Sequence, residues 1–107
     1  MTTTPSTRLP DVPLPPGAFV DPGDAWEQWD YEFRVVRTAE RHVSGHASLV
    51  SGSALQFPDG HIDDGTTYEA PVVWIEHYNT GLTIAQAREF AALLVSTADE
   101  LDGWVAK

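Results

Sequence analysis

The chain has 107 residues, carries 6 Lys+Arg against 16 Asp+Glu for a formal charge of −10, and contains no cysteine. One domain of this length buries roughly 65% of its unfolded surface without staples, and disulfides or thiolate metal sites are excluded. The single lysine is Lys107, so there is no basic patch with which to hold phosphates or anionic lipid. Direct nucleic-acid and membrane partners are therefore not expected.

No apolar run approaches the roughly 20 residues that span a bilayer. The opening stretch MTTTPSTRLPDVPLPPG has no apolar secretory core. A cytoplasmic location is the expectation. The acidic balance favours solubility, and it would also attract a basic partner.

Residues 1–23 hold six of the eight prolines. Proline lacks a backbone donor and restricts the residue before it, so this segment reads as an extended or disordered arm. Leu14, Phe19 and Val20 are its candidate anchors to a single domain over 24–107. From Trp29 the pattern changes. Trp29, Tyr31, Phe33 and Val35 alternate with Asp30, Glu32, Arg34 and Val36, which predicts a half-buried strand with a wet second face. Strand character continues through VSGHASLVSG, with bends at Gly45 and Gly52. SALQF reads as a further short strand, and the PDG and DDG that follow are turn signals. APVVWIEHY alternates Val73 and Ile75 with Val72, Trp74 and Tyr78. Apolar residues on both faces predict a central strand.

Thr83 and Gln86 form a capping-box pair, and Gly103 suits a left-handed stop, so a helix is predicted between them. At 100° per residue, Ile84, Ala87, Phe90, Ala91, Leu94, Val95, Ala98 and Leu101 share an arc of about 140°. That stripe is expected to roof one sheet face. The predicted fold class is α+β: a small, mainly antiparallel sheet of three to five strands packed against one C-terminal helix, with a Pro-rich N-terminal arm. Trp104 and Val105 are expected to tuck in beyond the helix end.

The stretch LTIAQAREFAALLVSTADELDG also resembles the C-terminal helix of small uncharacterised actinobacterial and mycobacteriophage proteins, of the type L-T-x-x-Q-A-R-E-x-A-x-x-L-x-x-x-A-D-E-L-D. Leu82, Thr83, Gln86, Ala87, Arg88, Glu89, Phe90, Ala91, Leu94, Ala98, Asp99, Glu100, Leu101 and Asp102 carry the match. The resemblance implies a small accessory protein of an actinobacterium or its phage, in the host cytoplasm in the latter case. It brings no catalytic residue with it.

Four histidines raise the question of a metal. His42 and His46 are four apart; on a strand that separates them by about 13 Å, too far to share one ion. His61 beside Asp63 and Asp64 lacks the ligand pattern of a calcium loop, and those two carboxylates read as turn formers next to Gly65. Ser44, Ser48, Ser51 and Ser53 surround His46 without a nucleophile-elbow motif. No cofactor is expected.

Two features point outward. Asp99, Glu100 and Asp102 crowd a helix C-terminus, where the dipole favours cations, so Arg37, Arg41 or a basic partner is expected to offset them. Leu93 falls on the predicted polar face near Phe90, and Trp26 and Trp29 add large contact-forming side chains. The leading expectation is a non-enzymatic interaction protein that binds a protein partner or a second copy through Trp26, Trp29, Phe90, Leu93, Asp99, Glu100 and Asp102. Two alternatives stand beside it. One is an acidic mimic that blocks a nucleic-acid-binding protein through Asp63, Asp64, Glu69, Glu76, Asp99, Glu100 and Asp102. The other is a small-ligand or metal binder using His46, His61 and His77.

Overall fold

Eight residues, Leu49–Gln56 (β3), form the strand around which everything else is arranged. The structure is a computed structural model that describes residues 12–21 and 32–106. Among these, the other strands are β1 (Arg34–Arg37), β2 (Arg41–His42) and β4 (Val72–Glu76), and the helix α1 runs Ile84–Val105. Every pairing is antiparallel. β1 and β2 lie in tandem along one side of β3, Arg34 opposite Gln56 and Arg41 opposite Val50; β4 lies along the other, Ile75 opposite Val50. This is the expected α+β arrangement of one small sheet and one C-terminal helix.

Several local expectations are corrected. VSGHAS is a turn and not strand: Val43 accepts from His46, Gly45 has φ 68°, and β3 then absorbs SALQ in one run. Glycine suits that turn because a Cβ is strained at positive φ. On β1 the faces are reversed. Arg34 and Val36 are the buried residues, while Val35 is half-exposed. Arg34 tolerates burial because its Nε donates to Gln56 Oε1 (2.8 Å) and its Nη2 to the Val12 carbonyl (2.7 Å). Burial lowers its pKa, yet a guanidinium stays charged. Trp29 and Tyr31 lie outside the described residues. Among the described residues β4 is an edge strand and not a central one; β3 is the strand enclosed on both sides.

The capping box is present as predicted. Thr83 Oγ1 accepts from Gln86 N (3.1 Å), and Gln86 Oε1 accepts from Thr83 N (3.0 Å). Gly103, however, is inside the helix, which continues to Val105 with Ala106 as its C-cap. The continuation carries Trp104 into the core from the last turn. That core joins Val36, Ala54, Ile62, Leu101 and Trp104, with Ala18, Val20, Val73 and Val105 packed against it.

Residues 12–21 lie on the domain, held mainly through backbone carbonyls. Trp104 Nε1 donates to Pro16 O (3.0 Å) and Gln56 Nε2 to Pro13 O (2.9 Å). Phe19 exchanges two backbone hydrogen bonds with Arg37. Of the three expected anchors, Val20 packs on the core, whereas Leu14 and Phe19 are largely exposed.

Candidate functional site

The sequence predicts which residues of α1 are apolar correctly, but not which way they point. The residues buried against the sheet are Thr97, Leu101 and Trp104. Their direction is roughly a quarter turn from the centre of the apolar arc. Leu101 is buried and Phe90 and Leu94 are half-buried, but Ala87, Ala91 and Ala98 are exposed, and Ile84 and Val95 are 74% and 60% exposed.

The rotation has a polar cause. β2 and its turn supply hydrogen-bond partners for the opposite flank. Arg41 Nη1 donates to Thr97 Oγ1 (2.9 Å) and its Nη2 to Glu100 Oε1 (2.5 Å). Ser44 donates through N and Oγ to the Glu89 carboxylate, and Gln86 Nε2 donates back to Ser44 O. These contacts place Gln86, Glu89, Thr97 and Glu100 toward the β2 side. The apolar flank is thereby turned toward β4. Gly52 lets the helix approach: an added Cβ there would lie 2.9 Å from Leu101 Cδ1.

β4 meets that flank with Val73 and Ile75, the residues opposite Gly52 and Val50 and hence on the helix side of the sheet. α1 does not fully cover them, and Ile75 remains 53% exposed. A groove of about 310 Å³ between Val73, Ala98, Leu101 and Val105 runs into the same area. Val73, beside Ile75, thus floors an apolar trough walled by Ala98 and Leu101 and edged by Asp64 and Asp102, while Ile84, Ala91 and Val95 carry exposed apolar surface on round the helix toward solvent. On the far face of the sheet Trp74, 52% exposed, donates from Nε1 to Ser53 Oγ (2.8 Å).

The histidines separate into two places. His46 and His77 stack with centroids 5.8 Å apart, and His77 stacks in turn on Phe90. Ser48 N donates to His46 Nδ1 (3.1 Å), and Ser48 Oγ lies 2.8 Å from His77 Nδ1. The serine is fully buried beneath the rings, so this cluster braces the turn against the helix start. His61 is elsewhere, stacked on Phe57 and bonded to Asp59. The His61 backbone N–H, then its ring, hold the Asp59 carboxyl below its usual value. Among the described residues no group of three or more His, Cys, Asp or Glu is placed to hold a metal. A cleft of about 630 Å³ opens beside Arg37, Ser51 and Trp74; of the four histidines only His42 lines it.

The acidic residues have different roles. Asp63 is buried inside its own loop. Its carboxylate accepts from the backbone N–H groups of Gly65, Thr67, Tyr68 and Glu69. Burial by itself would raise its pKa, but those four donors outweigh it and lower the value to about 2. Asp64 lies below its usual value because the Thr66 hydroxyl and N–H bond it. Glu100 is paired with Arg41, one of the two arginines expected to offset the helix end, while Asp99 and Asp102 remain exposed.

Of the other expected contact residues, Phe90 and Leu93 are half-buried, Leu93 on the sheet-facing side and not among the exposed polar residues. Trp26 and Trp29 lie outside the described residues. The reading missed Ile75, Ile84 and Val95. The signal for the last two was an arc wider than one shallow sheet contact covers. Against family models, curated proteins and solved structures, the chain matches none.

Proposed function

We propose that the protein is a non-catalytic interaction module whose binding surface is the apolar trough between β4 and the outer flank of α1. The observation that carries this reading is the quarter-turn offset of the helix. Ile84 and Val95 remain 74% and 60% exposed, although they belong to the chain's most regular apolar pattern. Contiguous exposed apolar surface of this kind marks sites where another molecule docks. The burial of the Ser48 hydroxyl beneath His77 supports the same reading, because a nucleophile must meet its substrate. The resemblance of the helix to small accessory proteins of actinobacteria and their phages agrees with a role exercised through binding.

The reading is tested by capture of binding proteins on immobilised wild-type chain and on Val95→Glu. The substitution adds a charge at an exposed helical position, and an unchanged circular dichroism spectrum is expected to verify that the fold is intact. A protein retained by the wild type and lost with Val95→Glu is the expected result. Equal retention by both variants overturns the assignment of the surface.

A further inference from the structure

We infer that the occupant of the trough is a second copy of this chain, joined by antiparallel pairing of β4 with β4 about a two-fold axis at Trp74. The inference rests on the reading of the trough as a binding surface and names what fills it.

Among the described residues, strand β4 is paired with β3 along one side only. Exposed edges are ordinarily protected by lysine, by proline or by bulges within the strand. Val72–Glu76 reads VVWIE and has no lysine, proline or bulge within it; Pro71 precedes it and its one charge, Glu76, stands at its end. The same five residues are self-complementary. Centred on Trp74, antiparallel pairing sets Val73 against the second copy's Ile75, Val72 against its Glu76, and Trp74 against its Trp74. No carboxylate faces another, and every contact on the helix side is aliphatic.

The two-fold axis stands perpendicular to the sheet, so both helices lie on the same face. With each helix lying mainly over β3, strands spaced about 4.8 Å apart put the two helix axes about 14 Å apart, beyond the roughly 8–10 Å of closely packed helices. The floor between them is therefore Val73 and Ile75 of both copies, and the two α1 flanks, with Val95 and Ala98, border it without interlocking. Ile75 on the helix side and Trp74 on the far side, each more than half exposed, are both covered by the pairing.

Charge separates this occupant from a different one. Each copy carries −10, so two copies repel, and added salt tightens their association by screening. A basic partner attracted to the same acidic body would be released by salt.

The test is sedimentation equilibrium of the full chain at low and at elevated salt, at concentrations up to about 100 μM. The expected result is twice the chain mass, with association strengthening as salt rises. Ile75→Glu and Val95→Glu each weaken it at least about tenfold, whereas Ser96→Glu, an exposed position outside the apolar arc, has no such effect. Because the chain has no cysteine, Trp74→Cys introduces a single thiol at the two-fold axis, where opposed Cα atoms lie within disulfide reach. Mild oxidation then yields a covalent dimer, and Glu76→Cys yields far less. A wild-type monomer at every salt concentration, or association that salt weakens, overturns the inference, as does equal cross-linking of the two cysteine variants. If the chain is monomeric but still captures another protein in a Val95-dependent way, the second-copy inference alone fails. Absence of both removes the trough as a binding surface.

Discussion

Asp63 is the side chain on which the 63–69 loop depends. Four backbone donors converge on its carboxylate, and removal of the charge leaves buried N–H groups poorly matched. Asp63→Asn is expected to lower unfolding free energy at neutral pH by roughly 1–3 kcal/mol in urea titration. The pH dependence follows from the depressed pKa of about 2 against an ordinary 3.8. The unfolded chain takes up the proton first as acid is added. The stabilisation is therefore complete above about pH 4 and is lost as pH falls toward 2. Asp63→Asn should flatten that segment of the stability curve, read by thermal melts across it. Gly52 is the second sensitive position. Its missing side chain admits Leu101, and an added methyl would meet Leu101 Cδ1 at 2.9 Å and Thr38 Cγ2 at 3.1 Å. Gly52→Ala should cost about 1–3 kcal/mol by overpacking, measured in the same titration.

Helix α1 separates what sequence reading reaches from what it does not. Its start was legible because a capping box is local: Thr83 and Gln86 satisfy each other's backbone within one turn. Thr83→Ala should cost about 1 kcal/mol and fray the first turn, visible as faster amide exchange there. The Asp63-Asp64-Gly65 turn was legible for the same reason. The orientation of α1 was not, because it depends on Arg41 and Ser44, some 40 to 60 residues distant, which draw Thr97, Glu100, Gln86 and Glu89 inward. An apolar arc states what would gain from burial. It cannot state that polar partners elsewhere compete for the same contact face. The edge position of β4 was hidden likewise: two-sided apolar character reads as a central strand within one chain, and it serves an edge strand equally when the second neighbour is another molecule.

The domain is incomplete without residues 12–21. Their carbonyls accept from Arg34, Gln56 and Trp104, and Ala18 and Val20 extend the core. Deletion of residues 1–20 should reduce stability by at least about 2 kcal/mol and red-shift tryptophan emission as Trp104 loses its cover, both read in one fluorescence melt. Composition alone marked this region as proline-rich and extended. It gave no means of seeing that proline, which donates nothing, still offers a carbonyl, and that Gln56 and Trp104 each direct a donor at one.

That docking also bears on how the chain is made. The indole of Trp104 bonds a carbonyl 88 positions earlier. On the ribosome the proline segment emerges before α1 and must wait, because the site that receives it is finished only with the last helical turn. That contact therefore forms only after the last turn of α1 has been made. Contacts of such wide sequence separation slow folding relative to local ones. Until that closure, the nascent sheet carries an uncovered aromatic seat at one end and a bare strand at the other, the period in which a chaperone would find most to hold.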